Sequence, residues 1–308
     1  IDQFRGFMIF LMIFVNHVGD YDSMPWMFHH HREGMAINDI VAPAFLFVVG
    51  MGFRLSSLRR IAKEGLAQTR WSAAGRYFFI TIIGAAIYQG YWWDALVDIG
   101  LSGLIAVLVI DKSPSVRALA AFALLALYQA IFSLTGYGAW LMEHSLNGGP
   151  LGPLSWVFML LMGSVAYDIV ARNDIAKTTR SLLAWSIALA AAGWALRLPL
   201  FGVKSAWPFT AYGMSAPYPL YATGLCFAEL LAFVLICDKF GRRIPHLSVL
   251  GMNPLVLYIT QLVVITAGHI PIPASANVSL VLATFIPLYL IHYLLAWILH
   301  RKNIVIKI

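Results

Sequence analysis

The sequence predicts an all-α, polytopic integral membrane protein with about ten transmembrane helices, and three observations support this fold class. Hydrophobic residues make up 60% of the 308 residues and charged residues 11%, whereas soluble domains carry about 25% charged residues. The mean hydropathy of +0.78 implies more apolar surface than a water-soluble fold of this length can bury. The apolar runs are continuous rather than alternating, which favours helices over a transmembrane barrel.

Ten apolar runs approach the length that a helix needs to cross a bilayer, about 20 residues. In chain order they cover residues 4–17, 39–58, 71–90, 96–110, 116–134, 151–170, 182–198, 218–237, 247–268 and 278–299. No connection between them is long enough to form a second domain, and no segment repeats at a fixed period. Residues 1–308 are therefore predicted to form a single transmembrane domain.

The basic residues alternate between the two sides of these predicted helices. With the N-terminus in the cytoplasm, all but three of the 21 lysines and arginines fall on the inner side, as cytoplasmic loops require. The exceptions are Arg32, Arg197 and Lys204. This distribution predicts a cell inner membrane protein with both termini cytoplasmic. It also explains the net charge of +7, because basic residues in the inner connections can contact anionic membrane lipids. Nucleic acid is therefore not a predicted partner.

The stretch from Asn16 to Asp39 lies in an outer connection and is rich in groups that can titrate. It holds four of the nine histidines and three further acids: His17, His29, His30, His31, Asp20, Asp22 and Glu33. A tetrahedral metal site would need several of them to converge, and their spacing matches no metal motif. A general base needs only one positioned imidazole. The residues therefore favour proton transfer, and no metal is expected.

Other polar side chains interrupt the apolar runs, where each needs a partner or a function. Asp39 opens the second run. A carboxylate at this position can cap the helix and still lie beside a catalytic site. Asn and Gln commonly hydrogen-bond between membrane helices. The two cysteines, Cys226 and Cys237, are interpreted as small buried hydrophobes. The remaining polar candidates are Asp98, Glu229, Asn253, Gln261 and His292.

Two groups of motifs resemble the heparan-α-glucosaminide N-acetyltransferase family of transmembrane acyltransferases. The first is IDQFRG at residues 1–6, then Val15-Asn16, a histidine, Gly34, Asp39-Ile40-Val41, Pro43, FLFVVG at 45–50 and Leu55-Ser56. The second is YGMSAPYPLYATG at 212–224, LGMNPL at 250–255 and Tyr258. Their order and spacing follow the family across most of the chain.

The resemblance implies a reaction and a set of residues. Such an enzyme transfers an acyl group, typically acetyl, from cytosolic acyl-CoA to an amine or hydroxyl acceptor, such as a sugar, on the periplasmic side. The family's catalytic histidine lies ten residues before the Asp that opens the second span, which corresponds to His29 and Asp39. The family's Asn at the end of the first span corresponds to Asn16. His29 would act as general base or carry the acyl group, and Asn16 would orient it or donate to the oxyanion.

This chain departs from the family pattern at two places. Arg32-Glu33-Gly34 stands where the family usually has Trp-Asn-Gly, which leaves the acceptor open. The stretch 100–104 around Ser102 lacks a Gln-Arg pair that the family often carries there, which leaves the residues that bind acyl-CoA unassigned. His30 or His31 replaces His29 if the loop register differs.

Two other functions stay open on the sequence alone. One is a non-catalytic subunit with this fold, held in a larger membrane complex or as a homodimer. The other is a transporter, although the sequence has no inverted repeat or pair of broken helices.

Overall fold

The computed structural model describes residues 1–31, 34–88, 93–199, 207–267 and 272–305, and within these ranges the chain is helical with no β-strand. The helices are α1 Asp2–Val18, α2 Ile37–Glu64, α3 Leu66–Ile87, α4 Ala95–Val107, α5 Pro114–Leu134, α6 Tyr137–His144, α7 Pro153–Val170, α8 Ile175–Leu196, α9 Pro217–Phe233, α10 Pro245–Leu250, α11 Pro254–Ala267 and α12 Val278–Arg301. Two 3₁₀ turns (Trp26–Phe28, Gly149–Leu151) and a π-helical segment (Val234–Lys239) complete the described elements.

Each predicted run overlaps a helix, but the match has two exceptions: α6 lies in none of the runs, and one run is divided. The run 247–268 is divided between α10, which ends at Leu250, and α11, which begins at Pro254. Proline is suited to the first turn of a helix, where its missing N–H is not needed. Five helical segments are long and apolar enough to cross a membrane: Ile37–Glu64, Pro114–Leu134, Gly149–Val170, Pro217–Lys239 and Val278–Arg301. The all-helical class is confirmed, whereas ten spans and cytoplasmic termini stay predictions.

Contacts divide the chain into two compact units, and a single domain over 1–308 stays a prediction. Unit 1 comprises Ile1–His30, Ala36–Phe45 and Ile236–Ile308. In it, α1 packs against α10, α11 and α12. A Cβ on Gly6 would lie 1.8 Å from the carbonyl oxygen of Leu247, so glycine lets α1 and α10 approach at backbone distance. Gln261 of α11 donates to the carbonyl of Met12 at 3.3 Å, the interhelical role expected for a membrane Gln.

Unit 2 comprises His31–Met35 and Leu46–Leu235. Its main packed pairs are α3 with α4, α5 with α7, and α8 with α9. The part of α2 in this unit meets α7 through two glycines. A Cβ on Gly50 would lie 1.9 Å from the Leu160 oxygen, and one on Gly163 would lie 1.9 Å from the Phe47 oxygen. Neither position has room for a side chain.

A buried ionic cluster joins three helices of unit 2. Asp168 of α7 accepts from Arg54 of α2 at 3.1 Å and from Arg117 of α5. The two guanidiniums also donate to the connection between α4 and α5, at the carbonyls of Ile110 (2.7 Å) and Lys112 (3.1 Å). Arg117 is fully buried, a position a cation occupies only when paired and hydrogen-bonded.

Candidate functional site

The histidine-bearing segment after α1 is built onto unit 1 by a small apolar cluster. Met24 is buried against Val18 of α1, Ala276 and Val281. The Asp22 N–H donates to the carbonyl of Ala274 at 2.9 Å. A polar connection of this length would otherwise have little to order it, so this packing fixes the backbone from which His29 and His30 extend.

His29 directs both ring nitrogens at backbone carbonyls. Nδ1 lies 3.1 Å from the oxygen of Gly19, which ends α1, and Nε2 lies 2.9 Å from the oxygen of Met24. Both nitrogens donate only in the imidazolium form, while a neutral ring donates to one carbonyl. In this arrangement His29 ties the segment to the end of α1 and presents no nitrogen to a substrate.

His30 pairs with the residue that the sequence placed at the start of the second span. Its Nδ1 lies 2.9 Å from Oδ1 of Asp39. The His30 side chain is 55% exposed and that of Asp39 is 1% exposed, so a buried carboxylate stands behind an imidazole that an outside molecule can reach. Oδ2 of Asp39 accepts the N–H of Ala36, the residue before α2, at 2.9 Å. Asp39 therefore caps its helix and also orients a histidine.

The other predicted residues differ in their surroundings. Asn16 is exposed on α1 and has no hydrogen bond to the described residues. His17 turns to α12, with Nε2 at 3.1 Å from both the Val281 carbonyl and Oγ1 of Thr284. His31 belongs to unit 2, and Arg32 and Glu33 lie outside the described residues. Sequence reasoning missed Asn38, whose amide donates to the Phe28 carbonyl and so steadies the backbone next to His29.

The stretch around Ser102 serves packing. Ser102 is buried and donates to the Pro153 carbonyl at 3.3 Å. Cβ atoms on Gly100 and Gly103 would lie 2.1 Å from Thr81 and Tyr77 of α3. One turn earlier, Asp98 is fully buried, and neither carboxylate oxygen has a hydrogen-bond partner among the described residues.

The remaining polar candidates form no shared site in the part of the chain that the structure describes. Asn253 donates to the Ile304 carbonyl at 3.0 Å, and His292 Nδ1 lies 2.8 Å from the Leu288 carbonyl in its own helix. One Glu229 oxygen is buried without a partner. Both cysteines are free. No group of three or more His, Cys, Asp or Glu side chains within these ranges could hold a metal ion.

Comparison with known proteins places this chain in a family. The model for the catalytic region of heparan-α-glucosaminide N-acetyltransferase matches residues 1–196, more than half of the chain. The chain belongs to the heparan-α-glucosaminide N-acetyltransferase family. It is 34% identical over 90 residues to the Homo sapiens heparan-α-glucosaminide N-acetyltransferase. It is 32% identical over 90 residues to the Mus musculus protein of that name.

Each of these two matches covers 28% of this chain and 13% of the curated relative, so the chain aligns with a small part of either one. Membership of the heparan-α-glucosaminide N-acetyltransferase family and the apolar helices together identify a membrane protein. The His30–Asp39 pair lies inside the region that the family model matches.

Proposed function

We propose that this protein is an integral membrane acetyltransferase that moves the acetyl group of acetyl-CoA, or another acyl group from its CoA thioester, to an amine or hydroxyl acceptor. The observation that carries the proposal is the His30–Asp39 pair, an accessible imidazole backed by a buried carboxylate. The matched family model, named for an N-acetyltransferase acting on a glucosaminide, supports a sugar amine as acceptor.

The pair suits general base catalysis. With the proton on Nδ1, His30 donates to Asp39, which leaves the Nε2 lone pair directed outward. Nε2 takes a proton from the acceptor nitrogen or oxygen as that atom attacks the thioester carbonyl. The tetrahedral intermediate collapses, the carbon–sulfur bond breaks, and the CoA thiolate leaves and receives a proton. Asp39 stabilises the imidazolium that forms meanwhile. In the covalent alternative, the same nitrogen first attacks the thioester carbonyl, the carbon–sulfur bond breaks and the CoA thiolate leaves, which gives an acyl-imidazole. The acceptor then attacks this acyl group, loses its proton and releases the imidazole.

The distribution of lysines and arginines supports a direction for the transfer of the acyl group. The basic inner connections favour a cytosolic, anionic CoA nucleotide, whereas the histidine-bearing segment falls in a predicted outer connection. We therefore place the acceptor on the periplasmic side of the cell inner membrane, with both termini cytoplasmic and membrane lipids around the helices. Release of free CoA thiol on the inner side of oriented proteoliposomes tests this arrangement.

One experiment compares the histidines directly. The full chain is purified in detergent and supplied with acetyl-CoA and glucosamine, and thiol release is measured for His30→Ala and His29→Ala. His144→Ala is the matched control, because His144 is exposed and its hydrogen bond among the described residues is to the Trp140 carbonyl of its own helix. We expect His30→Ala to lower kcat by about 10²–10⁴, with partial rescue by added imidazole, and the control to keep full turnover.

If His29 is the catalytic residue, as the family resemblance implies, the opposite result is expected: His29→Ala loses turnover and His30→Ala keeps it. If His29→Ala is the inactive variant that imidazole rescues while His30→Ala turns over normally, His29 is the base and our assignment of His30 fails. Loss of activity in His29→Ala without imidazole rescue instead identifies His29 as a residue that holds the segment in place.

A non-catalytic membrane subunit is the second candidate. The observation that favours it is that the stretch around Ser102 is occupied by helix packing, while Asn16 makes no hydrogen bond to either histidine among the described residues. It predicts stoichiometric co-purification with partner subunits or a second copy, and no thiol release in any condition.

A further inference from the structure

Arg197 ends α8 in unit 2 and is held by aromatic rings. Its guanidinium carbon lies 3.8 Å from the centroid of the Trp194 ring and 5.3 Å from that of Phe209. Tyr221 braces both rings, with centroids 5.9 Å from Trp194 and 5.5 Å from Phe209. Cations stack favourably on such faces, so the guanidinium is fixed in position although it lies at a helix end.

The hydrogen-bonding capacity of this guanidinium is unused by the described residues. The fork carries five N–H donors, yet the arginines that form ion pairs in the described chain are others: Arg5, Arg54, Arg60, Arg70 and Arg117. Arg197 is half-buried, unlike an arginine whose head extends into bulk water. A partly desolvated, immobilised cation that has no hydrogen-bond acceptor among the described residues is suited to binding an external anion.

The predicted side of the membrane makes an arginine at position 197 unusual. Arg197 is one of only three basic residues that the sequence places on the outer side, against the bias that concentrates them inside. The dipole of α8 favours a cation here, but lysine would serve that purpose as well. A stacked guanidinium instead presents a rigid, planar fork that matches carboxylate, sulfate or phosphate with two parallel hydrogen bonds.

We propose that Arg197, stacked on Trp194 and Phe209, is a binding site for an anionic group on the outer side of the protein. Under the proposed function, on which this step rests, the anion belongs to the acceptor, which is then an acidic or phosphorylated sugar. Within unit 2, the Phe209 carbonyl accepts the N–H of Gly34 at 2.8 Å, which holds the backbone that carries the Phe209 ring. A headgroup phosphate of a membrane lipid offers the same chemistry.

Binding is measured first, without catalysis. The full chain in detergent is titrated with inorganic sulfate and with glucuronate, for the wild type, Arg197→Met and Arg197→Lys. Arg301→Met is the matched control, since the Arg301 guanidinium stacks on Trp297 at 4.6 Å elsewhere in the chain. We expect Arg197→Met to weaken sulfate binding at least about tenfold, with partial recovery in Arg197→Lys and none of this loss in the control. Equal sulfate binding by the wild type and Arg197→Met would overturn the proposal.

Two further arms identify the source of the anion. If it is the acceptor, Arg197→Met lowers the ratio of kcat/KM for glucosamine 6-phosphate over glucosamine at least about tenfold. If it is a lipid, phosphatidylglycerol nanodiscs stabilise the wild type over phosphatidylcholine nanodiscs, and Arg197→Met loses that difference; the anion site then stands with a lipid occupant. Arg197-dependent sulfate binding in a protein that transfers nothing would refute the acetyltransferase and leave the site intact.

Discussion

Replacing Asp39 with Asn tests two contacts that its carboxylate makes with described residues. Oδ1 faces His30 Nδ1 at 2.9 Å, and Oδ2 accepts the Ala36 N–H at 2.9 Å. Asparagine keeps one acceptor oxygen and replaces the other with an NH₂ donor, so it cannot accept from Ala36 and from His30 Nδ1 at once; its NH₂ can only donate to Nδ1 of the opposite tautomer. A contact that remains also loses its charge assistance.

The magnitudes of the two losses differ enough to be measured separately. Loss of the contact with Ala36 costs about 1 kcal/mol of stability, as for other helix-start contacts. Loss of the contact with His30 frees the imidazole to take the wrong tautomer or rotamer, so we expect kcat to fall about 10²-fold. KM should change little, because the Asp39 side chain is 1% exposed and lies behind the ring.

The assay is a double-mutant cycle in acetyl-CoA turnover, with thermal unfolding recorded for each variant. If His30 and Asp39 act as one unit, the double variant carrying His30→Ala and Asp39→Asn is no slower than His30→Ala alone. Additive losses in the double variant would refute the coupling. Full turnover by Asp39→Asn would remove Asp39 from the mechanism and leave it a helix cap.

Three further substitutions test packing and charge elsewhere in the chain. Asp168→Asn leaves two buried guanidiniums without their counter-charge and should cost about 3–5 kcal/mol, seen as a clear fall in the unfolding temperature; an unchanged temperature would contradict the role of the cluster. Gly50→Ala should impair folding because its Cβ would lie 1.9 Å from the Leu160 oxygen, whereas Gly52→Ala, with nothing within 4 Å, should be tolerated; equal yields of folded protein would refute this. Burial lowers the pKa of His246, so the folded state binds a proton less readily than the unfolded chain and stability falls as pH drops through the histidine range; His246→Gln should flatten that dependence of the unfolding temperature, and an identical pH profile would argue against it.

The helices could be predicted because membrane helices are set by a local property, the length of an apolar run. The division of the run 247–268 was signalled only by Gly251 and Pro254, which also occur inside continuous membrane helices. In the structure α10 ends at Leu250, and the next residue, Gly251, packs at backbone distance from Asp2 of α1. Such a close approach is a tertiary fact that no count of apolar residues contains.

The site was predictable as a segment but not residue by residue. Three consecutive histidines with a following Asp mark the region, and the family resemblance selects His29 by its spacing to Asp39. Which ring meets the carboxylate depends on the path of the backbone between Gly19 and Ala36. In the structure that path turns His29 to the carbonyls of Gly19 and Met24 and gives Asp39 to its neighbour His30.

The residues proposed for chemistry and those proposed for recognition fall on different parts of this chain. The region matched by the family model ends at residue 196. It contains His30 and Asp39, while the guanidinium of Arg197 and the ring of Phe209 follow it. A family can keep one transfer reaction and change its acceptor when the residues that select the acceptor lie outside the catalytic segment. Exchanging the stretch 197–209 between family members should therefore move acceptor preference without moving dependence on the histidine. An exchange that transferred both properties together would show that recognition and chemistry cannot be separated in this fold.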